Sequence, residues 1–166
     1  MRHQHDLKAI PLFAGFDDKE IAAFIAAAEP RSTPKGYAFF AMGRANSSLF
    51  IIRSGSVKVD RPGSAEEIPL ATLKAGQAFG EMSFLDGSRT TASITAQEPT
   101  EVYEISRAAV DKLLAENPSL GGKLWRNIAL GLKQRLSRAN EVIDQYIDVN
   151  QVLLQDHSLR EFYSRM

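Results

Sequence analysis

The sequence predicts a mainly β domain of about eight short strands, flanked by helices on both sides. Three observations carry this expectation. From Arg31 to Ile105, short apolar or alternating runs are separated by turn residues at roughly 8–12-residue spacing, the pattern of a sandwich or barrel. Before and after that region, apolar residues recur at helical steps instead. Hydrophobic residues make up 44% of the 166-residue chain and charged residues 24%, the composition of one folded globular domain.

The elements follow in chain order. "IPLFAGF", Ile10 to Phe16, reads as an apolar turn that packs on the core. In "DDKEIAAFIAAAEP", Asp17 stands as a helix N-cap with Glu20 three residues on, a capping box. Ile21, Phe24, Ile25 and Ala28 repeat at helical spacing, and Pro30 is expected to stop the helix. The strand runs are "YAFFAM", "SLFIIRSG", "SVKVDRPG", "EIPLATLKAG", "TASITA" and "EVYEIS". Turn signals fall at Pro34-Lys35-Gly36, Gly43, Gly55, Arg61-Pro62-Gly63, Gly76, Gly87 and Pro99. "SRAAVDKLLAEN" is a short helix broken before Pro118, and a long helix follows from about Leu120.

That long helix carries a stripe. Trp125, Ala129, Leu132, Leu136, Ala139, Ile143, Tyr146, Asn150 and Leu153 alternate steps of four and three, an a/d seam over about four heptads. A homodimer through this helix is expected, with Asn150 fixing register. The other reading is a helix lying on its own β domain. The expected division is residues 1–116, the β domain with its N-terminal helices and the short following helix, and residues 117–166, the long helix with a short tail.

Several function classes are disfavoured. Lys+Arg and Asp+Glu both number 20, so the basic excess of a duplex-DNA binder is missing. Cys is absent, which removes disulfides, thiolate nucleophiles and zinc knuckles. No apolar run approaches the roughly 20 residues that span a bilayer, and "MRHQHDLKAI" has no signal-peptide core. A cytoplasmic protein without membrane contact is expected. His3, His5 and His157 lie near the ends, Met1-Arg2-His3 reads as a solvated tail, and Asp17-Asp18 is a helix start and not a carboxylate pair. No serine sits in a nucleophile elbow. An enzyme, a metal site and a bound cofactor are therefore not expected.

One stretch carries chemistry: "FGEMSFLDGSRTTASI", Phe79 to Ile94. Gly80 lets backbone approach a ligand closely. Glu81 offers a two-oxygen acceptor suited to a ribose 2′-hydroxyl. Met82 to Leu85 form one turn of helix whose N–H groups face an anion. Arg89 supplies a fork for one phosphate, and Thr90 and Thr91 add hydroxyl donors. One carboxylate for the sugar, Glu81, and one arginine for a monoanionic phosphate, Arg89, make the minimum set for a nucleotide with a single cyclic phosphate, and the candidate ligand residues of this stretch are Phe79, Gly80, Glu81, Met82, Arg89, Thr90 and Thr91. On composition alone, a β-turn with ordinary surface charges accounts for the same residues.

The order of elements and the phrases "IPLFAGF", "SLFIIRSGSVKV", "LKAGQAFGEMSFLDG", "TASITA" and "EVYEISRAAVDKLLAENP" resemble the cyclic nucleotide-binding domain family. This is the domain of the catabolite activator protein, of cyclic-AMP-dependent kinase regulatory subunits and of cyclic-nucleotide-gated channels. The resemblance runs from about Leu7 to Asn140, and "FGEMSFLDG" is its most specific part. It implies an eight-stranded jelly roll (a double-stranded β-helix) with short N-terminal helices, a short phosphate-binding helix, a hinge helix and a long C-terminal helix. It also implies that Gly80 and the ribose-binding Glu81 carry the family's roles.

The arginine departs from the pattern. Aligned without gaps on "TASI", Thr90 occupies the family's arginine slot and Arg89 sits one residue early. If the loop after Gly87 is one residue short, Arg89 still reaches the phosphate, and an extra residue or bulge before Ser93 is then needed. Activator-type members place a hydroxyl pair of the long helix against the base; Ala139 and Asn140 match those positions here, and only Asn140 can hydrogen-bond a base edge. The implied ligand is cyclic AMP first and cyclic GMP second. The residues from Asn140 to Met166 are too few for a winged helix-turn-helix, so direct DNA binding is not expected. Lys133, Arg135 and Arg138 read as a solvated face. The expected function is a dimeric sensor or regulatory subunit acting on an unidentified protein partner. The alternatives are a scaffold that binds no nucleotide and a sensor of another ligand such as cyclic di-GMP.

Overall fold

A computed structural model describes the backbone over residues 7–63 and 66–155, with side chains to Asp144. His3, His5, His157 and the Met1-Arg2-His3 tail lie outside the described residues, as do the side chains of Tyr146, Asn150 and Leu153. The chain divides into two compact units, Met1–Ile128 and Ala129–Met166.

Eight strands form two four-stranded antiparallel sheets in the first unit. They are β1 (Glu29–Thr33), β2 (Ala38–Phe40), β3 (Ser48–Ser54), β4 (Ser56–Pro62), β5 (Glu67–Lys74), β6 (Ala78–Phe79), β7 (Ser93–Ala96) and β8 (Thr100–Ser106). One sheet runs β1-β8-β3-β6 and the other β2-β7-β4-β5. This is the eight-stranded roll that the resemblance implies. The sheets enclose an apolar core of Phe50, Ile52, Val57, Leu73, Phe79, Ile94 and Val102, with Phe39, Phe40 and Val59 packed against it. Phe50 and Phe79 stack face to face at 4.8 Å with an interplanar angle of 5°.

The helices are α1 (Asp18–Ala26), α2 (Glu81–Asp86), α3 (Arg107–Glu116) and α4 (Pro118–Gln155). Asp17 caps α1 as expected: its carboxylate accepts from the amides of Lys19 and Glu20, and Glu20 Oε2 accepts from the Asp17 amide at 2.8 Å. The Glu20 amide foremost, with Lys19 behind it, holds the Asp17 carboxyl below its usual pKa. The helix ends sooner than Pro30, at Ala26, and Pro30 instead lies within β1. A proline is tolerated there because β1 is a sheet edge and needs no N–H on its outer side.

The first turns of α4 belong to the first unit and are bolted to the N-terminal segment. Asn127 Nδ2 donates to the carbonyls of Leu12 and Ala14 at 2.9 and 2.8 Å. Lys123 Nζ reaches both oxygens of buried Glu20 at 2.8 and 2.7 Å. Leu120, Leu124 and Ile128 are buried, as are Phe13 and Phe24, whose rings meet edge to face at 5.3 Å. Trp125, the first residue of the expected seam, packs inside this unit against Phe84 of α2 at 6.2 Å, because its ring finds apolar surface closer at hand. In the second unit, Leu136 and Ile143 of the stripe are 63% and 54% exposed.

Candidate functional site

Phe79 ends β6, and its ring is fully buried in the aromatic stack, so its place is the core wall behind the site. The chain then turns at Gly80, which is left-handed (φ 82°) and caps α2. A Cβ there would stand 2.8 Å from the Ser48 carbonyl oxygen, 3.1 Å from Asn46 Nδ2 and 3.2 Å from Phe50 Cδ2. Only glycine meets both demands, the positive φ and the close approach. Two glycines bracket α2, since Gly87 (φ 71°) caps its other end, with its N–H on the Ser83 carbonyl. The short helix between Met82 and Leu85 is thus present, extended by one residue at each end.

Glu81 is the first residue of α2 and only 6% exposed. A carboxylate this buried requires compensating partners, and its position beside Gly80 follows from the cap geometry. Met82 is 49% exposed and accepts a weak 3.6 Å contact from the Thr91 hydroxyl, which ties the helix to the segment leading into β7. Ser88 closes the turn after α2: its hydroxyl and its amide hold the Asp86 carboxyl below its usual pKa, the amide bond measuring 2.8 Å.

The Arg89–Thr90 step separates the two side chains. Thr90 is 6% exposed; its hydroxyl donates to the Ala41 carbonyl at 2.7 Å and accepts from the Arg44 amide at 3.0 Å. Its backbone completes the tie, with Thr90 N–H on Arg44 O and Gly43 N–H on Thr90 O, both at 2.8 Å. Arg89 is exposed, pairs as an isolated bridge with Ala45, and donates from Nη1 to the Gly43 carbonyl at 2.8 Å. From Ser93 onward, β7 pairs with β4 without a register break, from Asp60↔Ser93 to Val57↔Ala96. The nearby irregularity falls on β2, between Ala38 and Phe40.

The structure therefore brings Gly80, Glu81, Met82 and Thr91 to one short helix and its approach to β7, and it sets Arg89 and Thr90 against the 41–45 loop. Asn140 is exposed and belongs to the second unit. Sequence reasoning missed Asn46. Its Nδ2 donates to Ser48 O at 2.8 Å, Ser83 Oγ at 3.0 Å and Gly80 O at 3.3 Å, fastening the start of α2 to the loop before β3. An asparagine in a polar loop gives no sign of a partner 34 residues away. Among the described residues, no group of three or more His, Cys, Asp or Glu side chains comes together as a metal site.

Comparison with known proteins gives the family. Residues 30–117 match the family model described as the cyclic nucleotide-binding domain, and the chain belongs to that family. It is 32% identical over 139 residues to the "Cyclic AMP receptor protein" of Thermus thermophilus, covering 83% of this chain and 62% of that protein. It is also 32% identical over 139 residues to "Glutaminase 1" of Bradyrhizobium diazoefficiens, covering 84% of this chain but 22% of that protein. The crystal structure of a cyclic nucleotide-binding domain from Methylobacillus flagellatus superposes with a TM-score of 0.78 at 27% identity, over 87% of this chain and 82% of that one. The chain thus spans less than two thirds of the length of these two curated relatives.

Proposed function

We propose that this chain is a sensor or regulatory subunit that binds a cyclic nucleotide, cyclic AMP before cyclic GMP, and does no chemistry on it. The observation that carries the reading is Glu81, a buried carboxylate that opens α2 directly behind a glycine no other residue can replace. A carboxylate placed this way suits a ribose hydroxyl. Cyclic AMP stands first because it is in the name of the Thermus relative.

Arg89, and not Thr90, is the phosphate partner in this reading. The Thr90 hydroxyl is occupied on both sides by backbone of the 41–44 loop. A guanidinium has five N–H donors, and Arg89 uses one of them on Gly43 O while remaining exposed. The ligand biases α2, and α3 and the first turns of α4 follow; such coupling needs only different affinities for two positions of these helices. The exposed Leu136 and Ile143 favour self-association through the second unit. Among the described residues, no helix is long and apolar enough to cross a membrane, and a cytoplasmic setting fits the reading.

The test is Glu81→Ala. A charged hydrogen bond contributes roughly 1.5–3 kcal/mol, so affinity for cyclic AMP should fall about 10- to 150-fold with the fold intact; equal affinity removes Glu81 from the site. The second reading, a scaffold that has lost its ligand, takes the gapless alignment instead, in which the family's arginine slot falls to Thr90, a short side chain hydrogen-bonded to the 41–44 loop.

A further inference from the structure

Arg107 is the first residue of α3, and its contacts reach three helices. Its Nη1 donates to the carbonyls of Phe84 and Leu85 at 2.9 and 3.2 Å, at the C-terminal end of α2. Its Nε pairs with Asp111 of α3 at 2.9 Å. Its guanidinium carbon lies 5.5 Å from the Phe84 ring centroid and 5.5 Å from that of Trp125 in α4. Its amide donates to Ser47 O at 2.8 Å, next to the Asn46 that fastens the other end of α2.

Each contact has its own physical reason. The last carbonyls of a helix have no partner within it, and a cation is favourable at that end. A planar guanidinium covers an aromatic face while its edge donates hydrogen bonds, which an ammonium cannot do as well. Asp111, one turn on in α3, holds the fork in orientation. The Phe84 and Trp125 rings carry no charge, so neither competes with Asp111 for the guanidinium.

We infer that Arg107 is the positioning residue of this site: it fixes the far end of the helix that presents Glu81 and passes the placement of that helix to α3 and to Trp125. α2 has six residues and α4 begins just after α3, so a shift of α2 must either carry Arg107 with it or break two carbonyl bonds and a ring contact. Trp125 is the chain's single tryptophan. Its emission is therefore a built-in report of the junction. The ligand-dependent half of the inference rests on the cyclic-nucleotide reading above; the ligand-free half does not.

Two measurements on the full chain separate them, using Arg107→Ala and Arg107→Lys. Without ligand, hydrogen exchange and Trp125 emission are compared across the three proteins. Arg107→Ala should speed exchange of the α2 amides about tenfold or more and shift the emission maximum. The helix Asp18–Ala26 should keep its protection. Arg107→Lys, with charge but no fork, should fall between. Unchanged α2 exchange and emission in Arg107→Ala overturn the inference, whether or not any nucleotide binds. With cyclic AMP or cyclic GMP added, binding is followed by calorimetry and by Trp125 emission. Wild type should show an emission change that saturates with the calorimetric curve; Arg107→Ala should still give binding heat but lose most of the emission change. An emission change of equal amplitude in both proteins overturns the relay. Absence of heat in the wild type defeats the nucleotide reading alone, and the exchange measurement still decides the role of Arg107.

Discussion

Replacing Gly80 with alanine separates backbone strain from close approach, because Gly87 supplies the control on the same helix. Both glycines are left-handed, with φ 82° and 71°. A side chain in that region costs roughly 1–2 kcal/mol. Around Gly87 a new Cβ meets nothing within 4 Å, so Gly87→Ala should lose only the strain. At Gly80 the Cβ would sit 2.8 Å from the Ser48 carbonyl oxygen. That oxygen is backbone at the start of β3, paired opposite Ser106, and cannot rotate away. Overpacking of this kind adds about 1–3 kcal/mol, so Gly80→Ala should be destabilised by roughly 2–5 kcal/mol in all. The lower unfolded-state entropy of alanine helps both variants equally and cancels in the comparison. Urea denaturation of the two variants and wild type, with equal slopes, gives the difference directly. Gly80→Ala should also lose ligand affinity, since α2 must move to make room. A difference of less than about 0.5 kcal/mol between the two variants, the scatter of an ordinary surface substitution, would mean that the close approach at Gly80 costs nothing beyond the strain.

Other expectations follow from the same geometry. Arg89→Ala should weaken cyclic nucleotide binding at least about 30-fold, as truncating one side of an ion pair typically does, while calorimetric unfolding stays near wild type because the side chain is exposed. Asp17→Ala should destabilise the fold in a pH-dependent way: the lowered pKa means the cap's contribution is present above the ordinary value of 3.8 and fades as pH falls through the native value, so the gap between the two proteins should close in acid melts. Replacing Leu136 and Ile143 with Asp should abolish the proposed self-association in sedimentation, since it puts charges into the exposed apolar stripe; a wild type already monomeric at high micromolar concentration removes the seam.

What the sequence disclosed and what it withheld divide along the range of the interactions. The Asp17–Glu20 box was legible because both partners lie within one helical turn. The turns at Gly36, Gly43, Gly55, Gly76 and Gly87 were legible because each has positive φ, which makes glycine the natural choice. Pro30 misled because a proline ends a helix and opens an edge strand equally well, and only the sheet order shows which applies. Trp125 fitted the seam by spacing, yet its ring packs against Phe84 and Arg107, which lie far away in the chain. In the candidate site, the close backbone approach at Gly80 and the short helix after it could be read from the motif. The opposite environments of Arg89 and Thr90 could not, because they depend on a loop 46 residues earlier.

Glu81 is proposed to open a cradle that holds a cyclic nucleotide. Calorimetric titration of the full chain with cyclic AMP, cyclic GMP and cyclic di-GMP, beside Glu81→Ala, is the decisive measurement. Saturable binding of cyclic AMP or cyclic GMP, one per chain, is expected, with a loss of about 10- to 150-fold in the variant. Saturable binding of cyclic di-GMP alone, no heat with any of the three, or equal binding by Glu81→Ala would contradict the proposal.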